Sequence, residues 1–155
     1  MQFTAENITS SIGYLMGKAH RLLREAISHE LLKNGVEIAP GYMPLMGILA
    51  LHAPKKLSQR TLGELMELDR HRMSRALNEL QQKGWVSLAC NPKNKRENLV
   101  EMTHEGKDVL KTIGHCAGIV IEEAYDGVDA KSRQITENTL HQIITNLHKN
   151  ELQEG

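Results

Sequence analysis

The chain has 155 residues with 19 basic and 19 acidic side chains and a formal net charge of zero, which excludes two large domains and gives no overall pull toward a polyanion. Leu and Ile supply 31 residues, whereas Val and the aromatics together supply 11, a balance that favours helices because β-branched and aromatic side chains carry sheets. Two cysteines are too few for a disulfide scaffold, and no basic-then-apolar leader or membrane-length apolar run is visible, so a cytoplasmic protein with no membrane partner is expected.

The first predicted element is a long helix from Ile8 to Leu32. Ile8, Ile12, Leu15, Ala19, Leu22 and Ala26 recur at helical spacing, and Met16, Leu23 and Ile27 widen the stripe onto more than one side. Asn34-Gly35 ends it. Ala39-Pro40-Gly41 opens a shorter helix through about Leu51, with Pro44 placed in the first turn, where a missing N–H costs nothing. Ser58 then caps a short helix that turns Leu62, Leu65 and Met66 inward. Asp69 caps another, with Met73, Leu77 and Leu80 at i, i+4 and i+7. Only Glu67, Leu68 and the cap itself separate these two helices, which is a helix-turn-helix pattern.

After Lys83-Gly84 the period changes. Trp85 to Ala89 and Leu99 to Met102 read as two strands about the turn-rich Asn91-Pro92-Lys93-Asn94, a hairpin with a long basic tip. Thr103 caps a helix carrying Val109, Ile113, Cys116 and Val120, flanked by Leu110, Ala117 and Ile121, and Asp126-Gly127 breaks it. Asp129 caps a last helix with Leu140, Ile143, Ile144 and Leu147 spaced for one face. A single chain of this size struggles to cover the first helix and the two-sided run from Val109 to Ile121, so a partner helix is expected. Gly114 and Gly118 would let another backbone approach closely.

The zero net charge is unevenly placed. Residues 55–100 hold ten basic side chains against five acidic, a net of +5, and the rest of the chain is −5. Burying Met73, Leu77 and Leu80 leaves Arg70, His71, Arg72, Ser74, Arg75 and Asn78 on the open side of their helix. Arg bonds guanine bidentately, Asn bonds adenine, Ser suits a phosphate oxygen, and the helix N-terminus adds positive potential. Lys93, Lys95 and Arg96 on the hairpin stand where a wing reaches an adjacent minor groove or backbone. Double-stranded DNA is the partner this chemistry fits.

At this point Leu57-Ser58-Gln59-Arg60-Thr61-Leu62-Gly63-Glu64-Leu65, Met73-Ser74-Arg75-Ala76-Leu77, Lys83-Gly84-Trp85-Val86, Asn91-Pro92-Lys93-Asn94-Lys95-Arg96 and Leu99-Val100-Glu101-Met102-Thr103-His104-Glu105-Gly106 resemble the MarR/SlyA transcriptional regulators. The resemblance implies a mainly α fold with a small β-hairpin wing, a winged helix-turn-helix carried on a helical dimerisation domain. It implies an N-terminal dimerisation helix over 1–36, the winged helix-turn-helix over 37–102 and C-terminal dimerisation helices over 103–155. It further implies a homodimeric repressor that reads an inverted-repeat operator and is relieved by a small ligand, often aromatic or phenolic. Met16, His20, Tyr42, Met46 and His52 fall near the segments that would line the ligand cleft. The family wing reads Asp-Pro-x-Asp-Arg-Arg. Arg96 matches its last Arg, while Asn91, Asn94 and Lys95 depart from it, so the bracing of Arg96 is expected to be weaker.

Other chemistries are set aside on spacing. The eight histidines include no i, i+4 pair and neither cysteine has a partner at ligand spacing, so no metal or cofactor is expected. Cys90 borders the wing, and Cys116, on an apolar helix face, reads as a small hydrophobe. No phosphate loop, nucleophile elbow or paired-carboxylate arrangement supports an enzyme. The competing class is a helical adaptor module that keeps a winged helix without binding DNA. The +5 segment and the set Arg70, Arg72 and Arg75 argue against it.

Overall fold

Ser11 closes a single helical turn over Ile8–Ser10 and caps α1 (Ile12–Lys33), its hydroxyl donating to the Ile8 carbonyl at 2.7 Å and accepting the Tyr14 N–H at 3.4 Å. The long helix therefore starts four residues later than apolar spacing alone predicts. The structure, a computed structural model, describes residues 8–92 and 94–151, without the side chains of Arg96, Asn150 and Glu151. Lys93 lies outside the described residues, and so does the Arg96 side chain. Two units are distinguished, one running to Val120 and the other from Ile121 onward.

In the first unit α1 is followed by α2 (Met43–His52), β1 (Leu57–Ser58), α3 (Gln59–Met66), α4 (Arg70–Gln82), β2 (Val86–Asn91), β3 (Asn94–Met102) and most of α5 (His104–Ala124). Leu45, Met46 and Leu49 of α2, Leu62 of α3, and Met73, Ala76, Leu77 and Leu80 of α4 are buried together with Trp85, Val86, Val100 and Met102 around the sheet. Each such Leu or Met contributes about 1.5–3 kcal/mol relative to exposure. Leu31 at the end of α1, with Ile113 and Cys116 of α5, completes this core. Burial, and then the charge of Glu30, pushes the Cys116 thiol up from its ordinary pKa, which holds it in the protonated form and supports the small-hydrophobe reading.

The sheet is antiparallel in the order β1-β3-β2. The hairpin differs from its sequence reading, because its strands run on to Asn91 and restart at Asn94. The register shifts between Cys90, opposite Asn98, and Asn91, opposite Asn94. Residues 95–97 of β3 are thus a bulge in the wing. This stretch is polar on both faces, so the alternation that marks a strand is missing from it. Leu65 also differs from expectation. It falls to the outer side of the face set by Leu62 and Met66 and is 48% exposed.

The turn between α3 and α4 is closed by Leu68 N–H donating to the Gly63 carbonyl at 2.9 Å, with Glu67 in the left-handed region at φ 52°. A side chain at Gly63 would meet the Leu68 carbonyl oxygen at 3.1 Å, so the tightness of this turn favours glycine there. On the far side of α4, the Thr103 hydroxyl donates to the Gly84 carbonyl at 2.7 Å and accepts the Gly106 N–H at 3.0 Å. That pair of bonds docks the start of α5 on the turn leading into β2.

In the second unit, the end of α5 turns through Gly127 at φ 74° into α6 (Ala130–Glu151). Asp129 caps α6, its Oδ1 accepting the N–H groups of Lys131 and Ser132 at 3.0 Å each. Arg133 joins the two helices, reaching Glu122 Oε1 at 2.7 Å and Glu137 Oε1 at 3.2 Å while its guanidinium lies 4.5 Å over the Tyr125 ring.

Gly106 is the tightest backbone approach in the first unit. A Cβ there would overlap the Trp85 carbonyl oxygen and come within 2.8 Å of Met102 Cγ. Gly106→Ala is therefore expected to destabilise by about 1–3 kcal/mol through overpacking. Gly47→Ala, in a helix position with no atom within 4 Å of the new methyl, should instead stabilise by up to about 1 kcal/mol. Urea unfolding of the two variants checks both signs, and equal effects would contradict the packing described.

Candidate nucleic-acid interface

The surface starts from the cap of α4. Asp69 Oδ1 accepts the Arg72 N–H at 2.9 Å, and Asp69 Oδ2 lies 3.4 Å from Arg72 Nε. The Arg72 N–H, with that of His71 and the positive charge nearby, holds the Asp69 carboxyl below its usual range. Its stabilising contribution is therefore present above the ordinary carboxylate pKa and is lost as pH falls through the lowered value. With the cap fixed and Met73, Ala76, Leu77 and Leu80 buried, the phase of the helix is set. Arg70, His71, Arg72, Arg75 and Asn78 are exposed, and Ser74 is half-buried.

Two depressions flank this face. His71, Ser74, Arg75 and Asn78 line one, with Glu79 and Gln82 at its end. The other runs between α3, α4 and the wing, and it brings Arg70 and Ser74 together with Gln59, Arg60, Asn94 and Asn98. The structure thus gathers the six α4 residues singled out by the sequence on one helix. Lys95 is exposed on β3.

Gln59 and Arg60 were not legible as part of this surface. They reach it because β1 pairs with β3, Leu57 with Val100 and Ser58 with Leu99, and β1 is too short to be seen by alternation. Arg60 lines the same groove as Glu97 of the wing. One residue before Leu57, the register sets Lys56 beside Glu101, and those two side chains form an ion pair. Arg60 Nε donates to Glu64 Oε1 at 2.9 Å. That bond, with the charges of Glu64 and Glu97, raises the guanidinium pKa above its ordinary value. The one signal in the sequence was Ser58 as a cap, which places residues 59–61 in the first turn of a helix; its hydroxyl does accept the Thr61 N–H at 3.0 Å.

The five residues near the expected ligand cleft fall on α1, on the helical turn before α2 and on α2 itself. Met46 is fully buried and belongs to the core, and Tyr42 packs against that core. His52 Nδ1 is engaged with the Ile48 carbonyl at 2.9 Å, and Met16 is half-buried on α1. His20 lines a groove along α1 with Arg21, Arg24, Ser28, His29 and Pro40. Ser28 Oγ is screened from solvent and finds no hydrogen-bond partner among the described residues. Among the described residues no group of three His, Cys, Asp or Glu is disposed to hold a metal ion, and no helix is long and apolar enough to cross a membrane.

A model of the MarR family matches residues 38–97, the span from the end of the α1–α2 connection to the wing. No curated protein matches the sequence. Among solved structures, the repressor CouR bound to a 23-mer DNA duplex is similar, with a TM-score of 0.80 at 15% identity over 93% of this chain and 99% of that one. PcaV from Streptomyces coelicolor in complex with its natural ligand gives 0.70 at 21% identity over 94% and 98%. A MarR-family regulator from Silicibacter pomeroyi gives 0.72 at 23% identity over 94% and 96%. At these identities the structural likeness speaks for the fold, and the family model speaks for the segment that carries the interface. Residues 38–97 thus match the MarR family in sequence, and the chain shares the winged-helix fold of the solved MarR-family structures.

Proposed function

We propose that the chain is a cytoplasmic, homodimeric, sequence-specific DNA-binding repressor whose α4 enters the major groove and whose affinity for DNA is relieved by a small ligand. The observation that carries this reading is the division of α4 into a buried apolar face and an exposed face bearing Arg70, His71, Arg72, Arg75 and Asn78. Arg75 and Asn78 are the base readers, and Ser74 and Lys95 meet the backbone, as do Lys93 and Arg96 on the wing.

The dimer reading is supported separately at each end of the chain. In the first unit, α1 leaves Ile12 at 62%, Leu15 at 49% and Leu22 at 47% exposed. The second unit leaves Ile135, Ile144 and Leu147 exposed. Beyond their own helix backbone, Gly114 and Gly118 have no described atom within 4 Å of the position a Cβ would take, which leaves room for a partner backbone. On this reading residues 1–36 and 103–155 supply the two-fold contact and 37–102 the DNA contact. The ligand reading rests on the α1 groove, which His20, Arg24 and His29 line together with Glu25 and Ser28. That chemistry suits the carboxylate and hydroxyl groups of a small phenolic acid. Among structures of the same fold, PcaV was solved with its natural ligand and CouR from Rhodococcus jostii with p-coumaroyl-CoA.

Selection of binding sites from random DNA should return an inverted repeat with half-site centres about one helical turn, roughly 10 bp, apart. Light scattering of the same preparation should give a dimer. A single asymmetric half-site, or tolerance of a five-base change in spacing, would contradict the two-fold arrangement.

Readers and anchors are separable by mutation. Arg75→Ala should cost about 1–3 kcal/mol on the selected site and change base preference, whereas Lys95→Ala should weaken every sequence alike and flatten the salt dependence by about one unit. Equal losses on all sequences for both variants would sink the assignment of Arg75.

A further inference from the structure

The groove between α3, α4 and the wing takes Arg70 and Ser74 from α4, yet it carries Glu64, Glu67 and Glu97 against Arg60 and Arg70. A surface that meets a polyanion gains affinity from each cation it can bring to a phosphate and loses it for each carboxylate it brings along. Arg60 stands in the first turn of α3 with its side chain 77% exposed, well placed for a backbone contact. Its Nε is engaged by Glu64 Oε1 at 2.9 Å. Glu97, on the bulge of the wing, lines the same groove. The second carboxylate is thus delivered by the wing strand.

From this geometry we infer that Glu64 and Glu97 hold Arg60 back from the DNA backbone, so that the α3–wing groove suppresses sequence-independent affinity and leaves discrimination to α4. Glu97 is a positioning residue in this scheme. It acts on DNA through Arg60, and it makes the availability of that arginine depend on where the wing lies. A ratio of specific to non-specific binding is what a regulator must maintain against an excess of other sites. Lowering the denominator is one way to raise it.

The inference rests on the DNA reading of α4 and is tested by a double-mutant cycle on a short duplex of arbitrary sequence, titrated over a range of salt concentrations. Glu97→Gln should bind that duplex several-fold tighter, and its log–log salt slope should steepen by about one, the signature of one additional phosphate contact. In an Arg60→Gln background the same change should produce neither effect, and Arg60→Gln alone should leave binding to this duplex nearly unchanged. Arg60 is exposed and Glu97 half-buried, and circular dichroism checks that each variant is folded. An equal gain from Glu97→Gln in both backgrounds would show that Glu97 acts only as bulk charge and would overturn the inference. So would the absence of any gain, or a loss of one unit of slope from Arg60→Gln alone. Failure of the unaltered chain to bind any duplex at low salt would instead overturn the DNA reading, and this inference with it.

Discussion

The apolar face that α4 buries determines what the chain can present to a partner. Met73, Ala76, Leu77 and Leu80 enter the core with almost no exposed surface, and truncating one such leucine to Ala typically costs 2–5 kcal/mol. Rotating the helix to show a different side would expose that whole set at once. The basic residues therefore keep one orientation, although none of Arg70, Arg72 or Arg75 is itself held by burial. The cap at Asp69 fixes where the helix begins, so both its phase and its starting point are specified by residues that need not touch DNA.

A second constraint connects the recognition helix pair to the wing. The β1 strand is only two residues long, but its pairing with β3 joins the entry to α3 to the wing strand. Opposite charges gather at this junction, with Lys56 paired to Glu101 and Arg60 bonded to Glu64 in a groove that Glu97 also lines. Exposed ion pairs of this kind contribute little to stability. Their consequence lies in the local field, because a guanidinium already engaged by carboxylates is a poorer phosphate ligand than a bare one. The first helix of the motif and the wing thus form one electrostatic unit.

Much of this architecture was legible in the sequence, and the parts that were not share a cause. The capped helices α3 and α4 could be read because a cap and an i, i+4, i+7 set are local signals, and the MarR resemblance rested on residues in and around them. The strand β1 is too short to show a period, so Gln59 and Arg60 were missed as members of the surface. The wing was read as shorter-stranded than it is, because Asn91 to Asn98 has no apolar alternation and its pairing is set by the hairpin as a whole. Spacing alone turns Leu65 inward, yet α3 is eight residues long and its buried face is narrower than an amphipathic stripe suggests. For the candidate ligand residues, spacing could not tell a cleft from a core, and Met46 lies in the core.

The central claim is that α4 reads bases in the major groove. Dimethyl sulfate probing of a selected site tests it most directly, because it modifies guanine N7 in the major groove and adenine N3 in the minor groove. The account predicts protection of guanine N7 in each half-site by the unaltered protein, and loss of that protection with Arg75→Ala while contacts elsewhere on the site persist. Protection confined to adenine N3, or N7 protection that survives Arg75→Ala unchanged, would contradict it.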